Sequence, residues 1–238
     1  MVMLENTMVK LNKVGAIDKN TRLLETSTTN TTNTIDSMFV NDKDVWAQCP
    51  VDYLWVYDKL ILARKLGYQA APAGIPVPQP DWYIVRPITN IRMMSRGAQK
   101  QWLTPDDTDK VPDGYFWTQW FEGRHTSVDF HWGKQHLAVE GFRNRADRLD
   151  RFSCWKKITD IVPFPSVLQN LGEITEWVNV EYVGDHIIEI HLRYNDDFRN
   201  HSGNTIYPVW CDESYPQPSG TCWYHSPSGD RLGFWVQE

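Results

Sequence analysis

The chain has 238 residues, enough for one large domain or two small ones, with a formal net charge of −6 that argues against a general nucleic-acid binder, whose footprint is basic. Its 12 Trp, 10 Tyr and 9 Phe supply ample area for a packed core. No apolar run reaches the roughly 18 residues of a membrane span, no signal-peptide core opens the chain, and the four cysteines form no CxxC pair, so the expected setting is soluble, reducing and cytoplasmic.

Residues 1–45 read as a polar arm or linker, because ETSTTNTTNTIDS (Glu25 to Ser37) has little to bury. In VDYLWVYDKLILARKLGY (Val51 to Tyr68) the apolar residues Leu54, Tyr57, Ile61 and Leu62 fall near helical spacing, and Gly67 suits the stop. Pro72, Pro76, Pro78 and Pro80 stiffen the connector that follows. WYIVRPI (Trp82 to Ile88) reads as a strand containing Arg86, and NIRMMSRGAQK as a loop carrying Arg92, Arg96 and Lys100.

GYFWTQWFEGRHTSVDFHW (Gly114 to Trp132) predicts a strand, a turn at Glu122-Gly123 and a second strand; KQHLAVEGFR adds another. RADRLDRFSCWKKI (Arg145 to Ile158) places Leu149, Phe152 and Trp155 on one side of an expected amphipathic helix, and PSVLQNLGEI predicts a second, shorter one. Beyond Asn200 the Pro, Gly and Ser content predicts short strands joined by turns. The expected organisation is an α+β fold with a core over 46–200 and a β-rich tail over 201–238 that packs on it.

VNVEYVGDHIIEIHLRYNDDF (Val178 to Phe198) predicts a hairpin with two candidate registers. A two-residue turn at Gly184-Asp185 would pair Glu181 with Ile188 and Val180 with Glu189, mixing polar and apolar residues on both faces. A three-residue loop, Gly184-Asp185-His186, pairs Val178 with Leu192, Val180 with Ile190 and Tyr182 with Ile188. Hydrophobic patterning favours this second register. Its other face then holds Trp177 opposite Arg193, Asn179 opposite His191, and Glu181 opposite Glu189. Two opposed carboxylates repel, so a positive group belongs between them: Arg193, a lysine from elsewhere, or a divalent ion. A solvated polar face with Arg193 as counter-ion is the plainer alternative. Asp196 and Asp197 suit a turn, with membership of a metal site as the alternative, and Asn195 offers an oxygen ligand that His191 does not.

Four segments, in order, resemble the ATP-grasp superfamily of ATP-dependent carboxylate–amine ligases over roughly residues 50–198. YDKLILARKLGY is similar to the family's opening helix, which implies that Lys59 reaches nucleotide phosphates. WYIVRP resembles the strand carrying a second phosphate-binding cation, here Arg86 in place of lysine. FWTQWFEGRHTSVDF resembles the strand–hinge–strand whose backbone binds adenine, implying Gln119, Trp120 and Phe121 there, with His125 where an acidic residue holds ribose. VEYVGDHIIEIHLR resembles the closing metal hairpin, implying Glu181 and Glu189 as metal ligands, His191 in place of the usual Asn, and Arg193 as a catalytic cation beside Arg86. The pattern also resembles small, divergent ATP-grasp-like proteins of bacteriophages, which would place this one in a host cytoplasm.

The resemblance implies an antiparallel ATP-grasp-like fold with a truncated N-terminal domain, since the polar arm does not supply the family's own. It implies ATP and Mg²⁺ as cofactors, or Mn²⁺ because imidazole is a poorer ligand for Mg²⁺. The implied reaction activates a carboxylate substrate as an acyl phosphate, which an amine captures. A non-catalytic ATP-grasp-like binding or virion structural protein is the alternative. Neither membrane nor nucleic acid is an expected partner; a protein partner or a second copy of the chain is compatible with the sequence.

Overall fold

A computed structural model of the protein describes residues 42–89, 95–143, 148–173, 175–214 and 216–238. The arm up to residue 41, and with it the expected linker, lies outside the described residues, as does Arg92. No helix among the described residues is long and apolar enough to cross a membrane.

Two α-helices, α1 (Asp42–Gln48) and α2 (Lys59–Lys65), precede twelve strands: β1 (Ala70–Pro72), β2 (Asp81–Pro87), β3 (Gln99–Leu103), β4 (Tyr115–Gln119), β5 (His125–His131), β6 (Lys134–Phe142), β7 (Cys154–Lys157), β8 (Trp177–Val183), β9 (His186–His191), β10 (Thr205–Trp210), β11 (Thr221–Ser228) and β12 (Arg231–Gln237). They form a four-stranded sheet in the order β1-β4-β2-β3 and an eight-stranded sheet in the order β11-β12-β10-β7-β6-β5-β8-β9. Every strand pairing described is antiparallel, so the α+β expectation holds. The tail does not merely pack on the core: β10 pairs with β7 and continues the large sheet.

The expected helix from Val51 to Tyr68 is broken. A 3-10 segment, Val51–Tyr57, runs into Asp58, whose extended backbone and side chain cap α2 by accepting from Ile61 N at 2.7 Å. Gly67 ends the turn after α2 with φ 76°, as its position suggested. Valines, isoleucines and leucines of one hairpin face, Val178, Val180, Ile187, Ile190 and Leu192, share a buried cluster with Val45, Val56, Tyr57 and Leu62 from the helical segments. Val45 and Asp42 thus belong to the packed core and not to the arm into which the 1–45 boundary put them.

Two further helix expectations are corrected. Cys154–Lys157 is β7, paired with β6 on one side and β10 on the other. A Cβ on Gly141 would lie 2.5 Å from the Phe152 ring and 2.8 Å from Trp155, so those aromatics pack onto a strand position that only glycine leaves open. PSVLQNLGEI forms two 3-10 turns, Ser166–Leu168 and Leu171–Glu173. Gln99 and Lys100, placed in a loop by their sequence, open β3.

The β4 and β5 strands do not form a hairpin. Residues 120–124 carry the chain from one sheet to the other and pass over the β8–β9 turn, where a Cβ on Gly123 (φ 133°) would lie 2.7 Å from Gly184 Cα. Beside that crossing, residues of both sheets line a cleft.

Candidate functional site

The cleft holds a cavity of about 300 Å³. Alternation along β2 points Ile84 and Arg86 into it, joined by Lys100 from β3 and Thr118 from β4. Trp120, Phe121 and Gly123 of the crossing line its floor, and His125, Arg143 and Ile188 its far wall. Phe121 is fixed from behind, its ring stacked on His186 at 4.0 Å and edge-on to Tyr68 at 4.8 Å. Gln119 does not line the cavity: its Oε1 accepts from Gln69 N at 3.1 Å, tying β4 to β1.

Arg86 is 7% exposed, and no carboxylate among the described residues lies within ion-pair distance of it. Its guanidinium lies 5.3 Å from the Phe116 ring, and its Nε has no hydrogen-bond partner among the described residues. Burial lowers its pKa, opposed by the charges of Glu189 and Glu181 beyond the cavity wall.

The hairpin β8–β9 supplies those carboxylates. It pairs Asn179 with His191, Val180 with Ile190 and Glu181 with Glu189, then shifts, so that Tyr182 faces Ile187 and Val183 faces His186. The expected opposition of the two glutamates therefore stands, whereas the expected Tyr182–Ile188 pair does not. The polar face is buried and not solvated: Glu189 is 1% exposed. Its counter-ion is the lysine from elsewhere, with Lys59 Nζ 2.9 Å from Glu189 Oε2. His191 Nε2 lies 3.3 Å from Glu189 Oε1 and 3.9 Å from Glu181 Oε1. Burial alone would raise the Glu189 carboxyl, but the charges of Lys59 and His191 outweigh it and hold the group far below the usual range. Among the described residues, neither Glu189 oxygen has a partner aligned as a hydrogen bond.

Arg193 is not the carboxylates' counter-ion. It donates from Nη2 to Asp42 Oδ2 at 3.2 Å and from Nη1 to Tyr194 O at 3.0 Å. Asp42 also accepts from His191 Nδ1, at 2.9 and 3.0 Å, so one α1 carboxylate orients both side chains. Burial alone would lower the His191 pKa; Asp42 more than offsets it and the pKa rises to about 9. Behind this layer, Asp129 accepts from Asn179 Nδ2 at 2.8 Å and from Asn195 N at 3.0 Å, and burial pushes its carboxyl up to about 7.

His125 stands at the junction with both ring nitrogens engaged, Nε2 to Glu181 Oε2 at 3.1 Å and Nδ1 to the Arg143 Nη2 donor at 3.2 Å. With Arg143 donating to Nδ1, the imidazole donates from Nε2 to Glu181; it positions that carboxylate and has no nitrogen left for a ribose hydroxyl. The expected turn at Asp196 and Asp197 is a 3-10 turn, Asp196–Phe198, capped by Asn195, whose side-chain oxygen is thereby committed to Asp197 N at 3.0 Å. Arg96, from the cationic loop, pairs with Asp230.

The structure thus brings Glu181, Glu189, His191 and Lys59 together, with Arg86 facing them from the opposite sheet and Arg193 turned toward Asp42. Among the described residues no group of three or more His, Cys, Asp or Glu side chains is placed to hold a metal ion by itself. The hairpin offers a divalent ion two carboxylates, one of them without aligned hydrogen bonds. That suits an ion that takes its remaining oxygens from phosphate and water. Sequence reasoning missed Asp42 and Arg143. Asp42 left no local signal, lying 149 positions from His191; Arg143 follows β6 directly, and its partner His125 lies 18 positions earlier on β5.

No protein-family model and no curated protein matches the sequence. Similar solved structures include a protein of Archaeoglobus fulgidus described as ATP-grasp superfamily, at 18% identity and a TM-score of 0.47 over 77% of this chain and 64% of that one. They include an L-amino acid ligase from Bacillus licheniformis, at 11% and 0.42 over 62% of this chain and 43% of that one. A carboxyaminoimidazole ribonucleotide synthase from Aspergillus clavatus complexed with ATP aligns at 8% and 0.48 over 76% of this chain and 67% of that one. This chain spans less than two thirds of the first two. At these identities the likeness is one of fold alone.

Proposed function

We propose that the protein is an ATP-dependent ligase of the ATP-grasp type, which activates a carboxylate as an acyl phosphate and passes it to an amine. The observation that carries this reading is Arg86, a buried guanidinium lining a cavity with no carboxylate partner among the described residues. An unpaired buried charge costs several kcal/mol, so the site is built for an anion that arrives from outside. The planar guanidinium fork suits phosphate.

The cavity has the shape and polarity for a nucleotide: apolar and aromatic walls at Trp120 and Phe121, cations at Arg86 and Lys100. Glu181 and Glu189 would hold Mg²⁺ or Mn²⁺ on the phosphate side. When bound, such an ion neutralises charge on the phosphoryl oxygens. Lys59 neutralises Glu189, and would be released to serve phosphate if a metal took over that carboxylate. The substrate carboxylate oxygen bonds to the γ-phosphorus as ADP leaves; the amine nitrogen then bonds to the acyl carbon as phosphate leaves and the amine's proton passes to solvent. Arg86 stabilises the transferring phosphoryl group, and Arg193, steadied by Asp42, borders the carboxylate. Catalysis of this kind is alignment and charge neutralisation with little covalent help from protein.

The test is calorimetric ATP binding with Mg²⁺ and with Mn²⁺, on the wild type and on Arg86→Met. Loss of charge-assisted bonds to phosphate should weaken metal-dependent binding by about 10- to 100-fold. The same change removes an unpaired buried charge, so the melting temperature should hold or rise. Folded wild type that binds no ATP with either metal would sink the reading and leave a non-catalytic binding or structural role.

A further inference from the structure

A second cavity, of about 310 Å³, adjoins the first: Ser95 lines both, and the His125–Glu181 pair stands between them. It lies on the polar face of the eight-stranded sheet, and much of its wall comes from Trp210 of β10, Ser228 of β11 and Arg231 of β12, outside the segments that resemble the ligase family. Its charges cancel. Asp42 serves both His191 and Arg193, at 2.9 and 3.2 Å, and Glu181 lies 3.9 Å from His191, so two cations face two carboxylates. Arg231 is paired at two points with Asp197, at 2.6 and 2.8 Å, and Arg148 with Asp150, at 3.1 and 3.3 Å. Glu189, near by, keeps Lys59 at 2.9 Å. The lining carboxylate left over, Asp196, is exposed, where water screens it.

What this wall lacks is acceptors. Nε1 of Trp210 and Nε of Arg193 are buried donors without partners among the described residues. Ser127 Oγ accepts from Asn179 Nδ2 at 2.8 Å and keeps its own proton to give. Asn195, whose Oδ1 is held by Asp197 N, has its amide Nδ2 free among the described residues. Buried donors of this kind are costly unless an oxygen meets them. An anion would bring oxygens but would face Glu181, Asp196 and Asp197 on the same wall. A cation brings no acceptor and finds no buried carboxylate unpaired. The ligand that fits is uncharged and rich in oxygen. It also has an apolar face, because Phe152, Trp155 and Trp210 make one side of the cavity aromatic.

We propose that this second cavity binds an uncharged polyhydroxylated ring, the chemistry of a sugar residue. One C–H face of the ring lies on the aromatic side. Its oxygens accept from Trp210, Arg193, Ser127 and Asn195, and its hydroxyl protons go to the carboxylate oxygens of Asp196 and Asp197. That the ring belongs to the molecule whose carboxylate is activated rests on the ATP-dependent reading; that the cavity takes the ring does not.

The probes are the methyl glycosides of glucose, galactose, mannose and N-acetylglucosamine, titrated by ligand-observed NMR with and without ATP and metal. At least one should bind, alone and together with nucleotide, with an affinity that holds between about 50 and about 500 mM salt, as uncharged recognition requires. Methoxycyclohexane, which keeps a ring and loses the hydroxyls, should not bind. Trp210→Phe keeps an aromatic side chain and removes one donor, so it should weaken the glycoside about fivefold, the effect of one hydrogen bond. Ser228→Trp, which fills the cavity, should remove measurable binding, and both variants should bind ATP as the wild type does. Failure of all these glycosides to bind folded wild type, equal binding of methoxycyclohexane, loss of affinity with salt, indifference to either variant, or displacement by ATP would overturn the proposal. ATP binding without glycoside binding overturns it while leaving the ligase reading intact. Glycoside binding without ATP binding keeps the ring site and removes its link to ligation.

Discussion

Replacing Asp42 with Asn should abolish a pH dependence of stability that the buried hairpin face imposes. In the folded protein the Asp42 carboxylate sits 2.9 Å from His191 Nδ1 and 3.2 Å from Arg193 Nη2, all three side chains buried. His191 rises from 6.5 to about 9, because Asp42 outweighs the burial that would lower it. A group whose pKa is higher folded than unfolded stabilises fully below the unfolded value and loses that contribution as pH climbs through the folded one. Wild type should therefore lose about 3 kcal/mol of unfolding free energy between pH 6.5 and 9. Asp129, pushed up to about 7 by burial, adds a decline that is complete near neutrality and is common to both proteins. Asp42→Asn should cost about 3–5 kcal/mol at pH 6, where it strands two buried cations, and should lose the upper slope. Urea unfolding followed by Trp fluorescence at half-unit pH steps, with a chelator present, measures both. A wild type equally stable at pH 7 and 9.5, or a variant with the wild-type slope, would refute the reasoning.

Lys59→Met leaves Glu189, 1% exposed, without its nearest cation, and should cost about 3–5 kcal/mol by urea unfolding. Added Mn²⁺ should recover part of that loss if the carboxylates take metal. Gly123→Ala places a Cβ 2.7 Å from the Gly184 backbone at φ 133° and should cost about 2–4 kcal/mol in the same assay, whereas Gly74→Ala, whose Cβ meets nothing within 4 Å, should cost less. Exposed Cys211 and Cys222 should react with iodoacetamide well before half-buried Cys49, whose thiol burial pushes up to about 11, with the order read by peptide mass spectrometry.

What the sequence made legible was local. β2, β5, β6 and the apolar hairpin face follow from alternation, and α2 from the spacing of Leu62 and its neighbours. Residues 145–158 misled because Leu149, Phe152 and Trp155 recur at three-residue spacing, a pattern that fits a helix face. The deciding fact is at another position: Gly141 on β6 leaves the gap that the Phe152 and Trp155 rings fill, so the segment gains more by joining the sheet. Of the site, Arg86, Glu181 and Glu189 could be picked out by type and order. Asp42 could not, since nothing near it in sequence says that a histidine 149 positions away will be buried and need a carboxylate. His125 was misread for a related reason, because its role depends on Arg143 occupying its second nitrogen.

The hairpin register shows how two conflicting local demands are both met. Turn chemistry at Gly184, with φ 57°, favours a two-residue loop, and Val183 does pair with His186. Continued to the base of the hairpin, that register would set Val180 against Glu189 and bury a carboxylate in the apolar cluster. Instead the ladder shifts by one residue between Tyr182 and Glu181, leaving Ile188 as the extra residue of β9. Ile188 is thereby turned to the cavity lined by Arg86 and Phe121, while Ile187 and Ile190 stay in the core. The shift restores the burial pattern but puts Glu181 opposite Glu189, a repulsive pair that a sheet does not tolerate unaided. Lys59 and His191 offset it. The bulge thus keeps Ile187 and Ile190 in the core at the cost of a buried carboxylate pair, and that pair makes the fold depend on Lys59 from α2 and on His191 from the same hairpin.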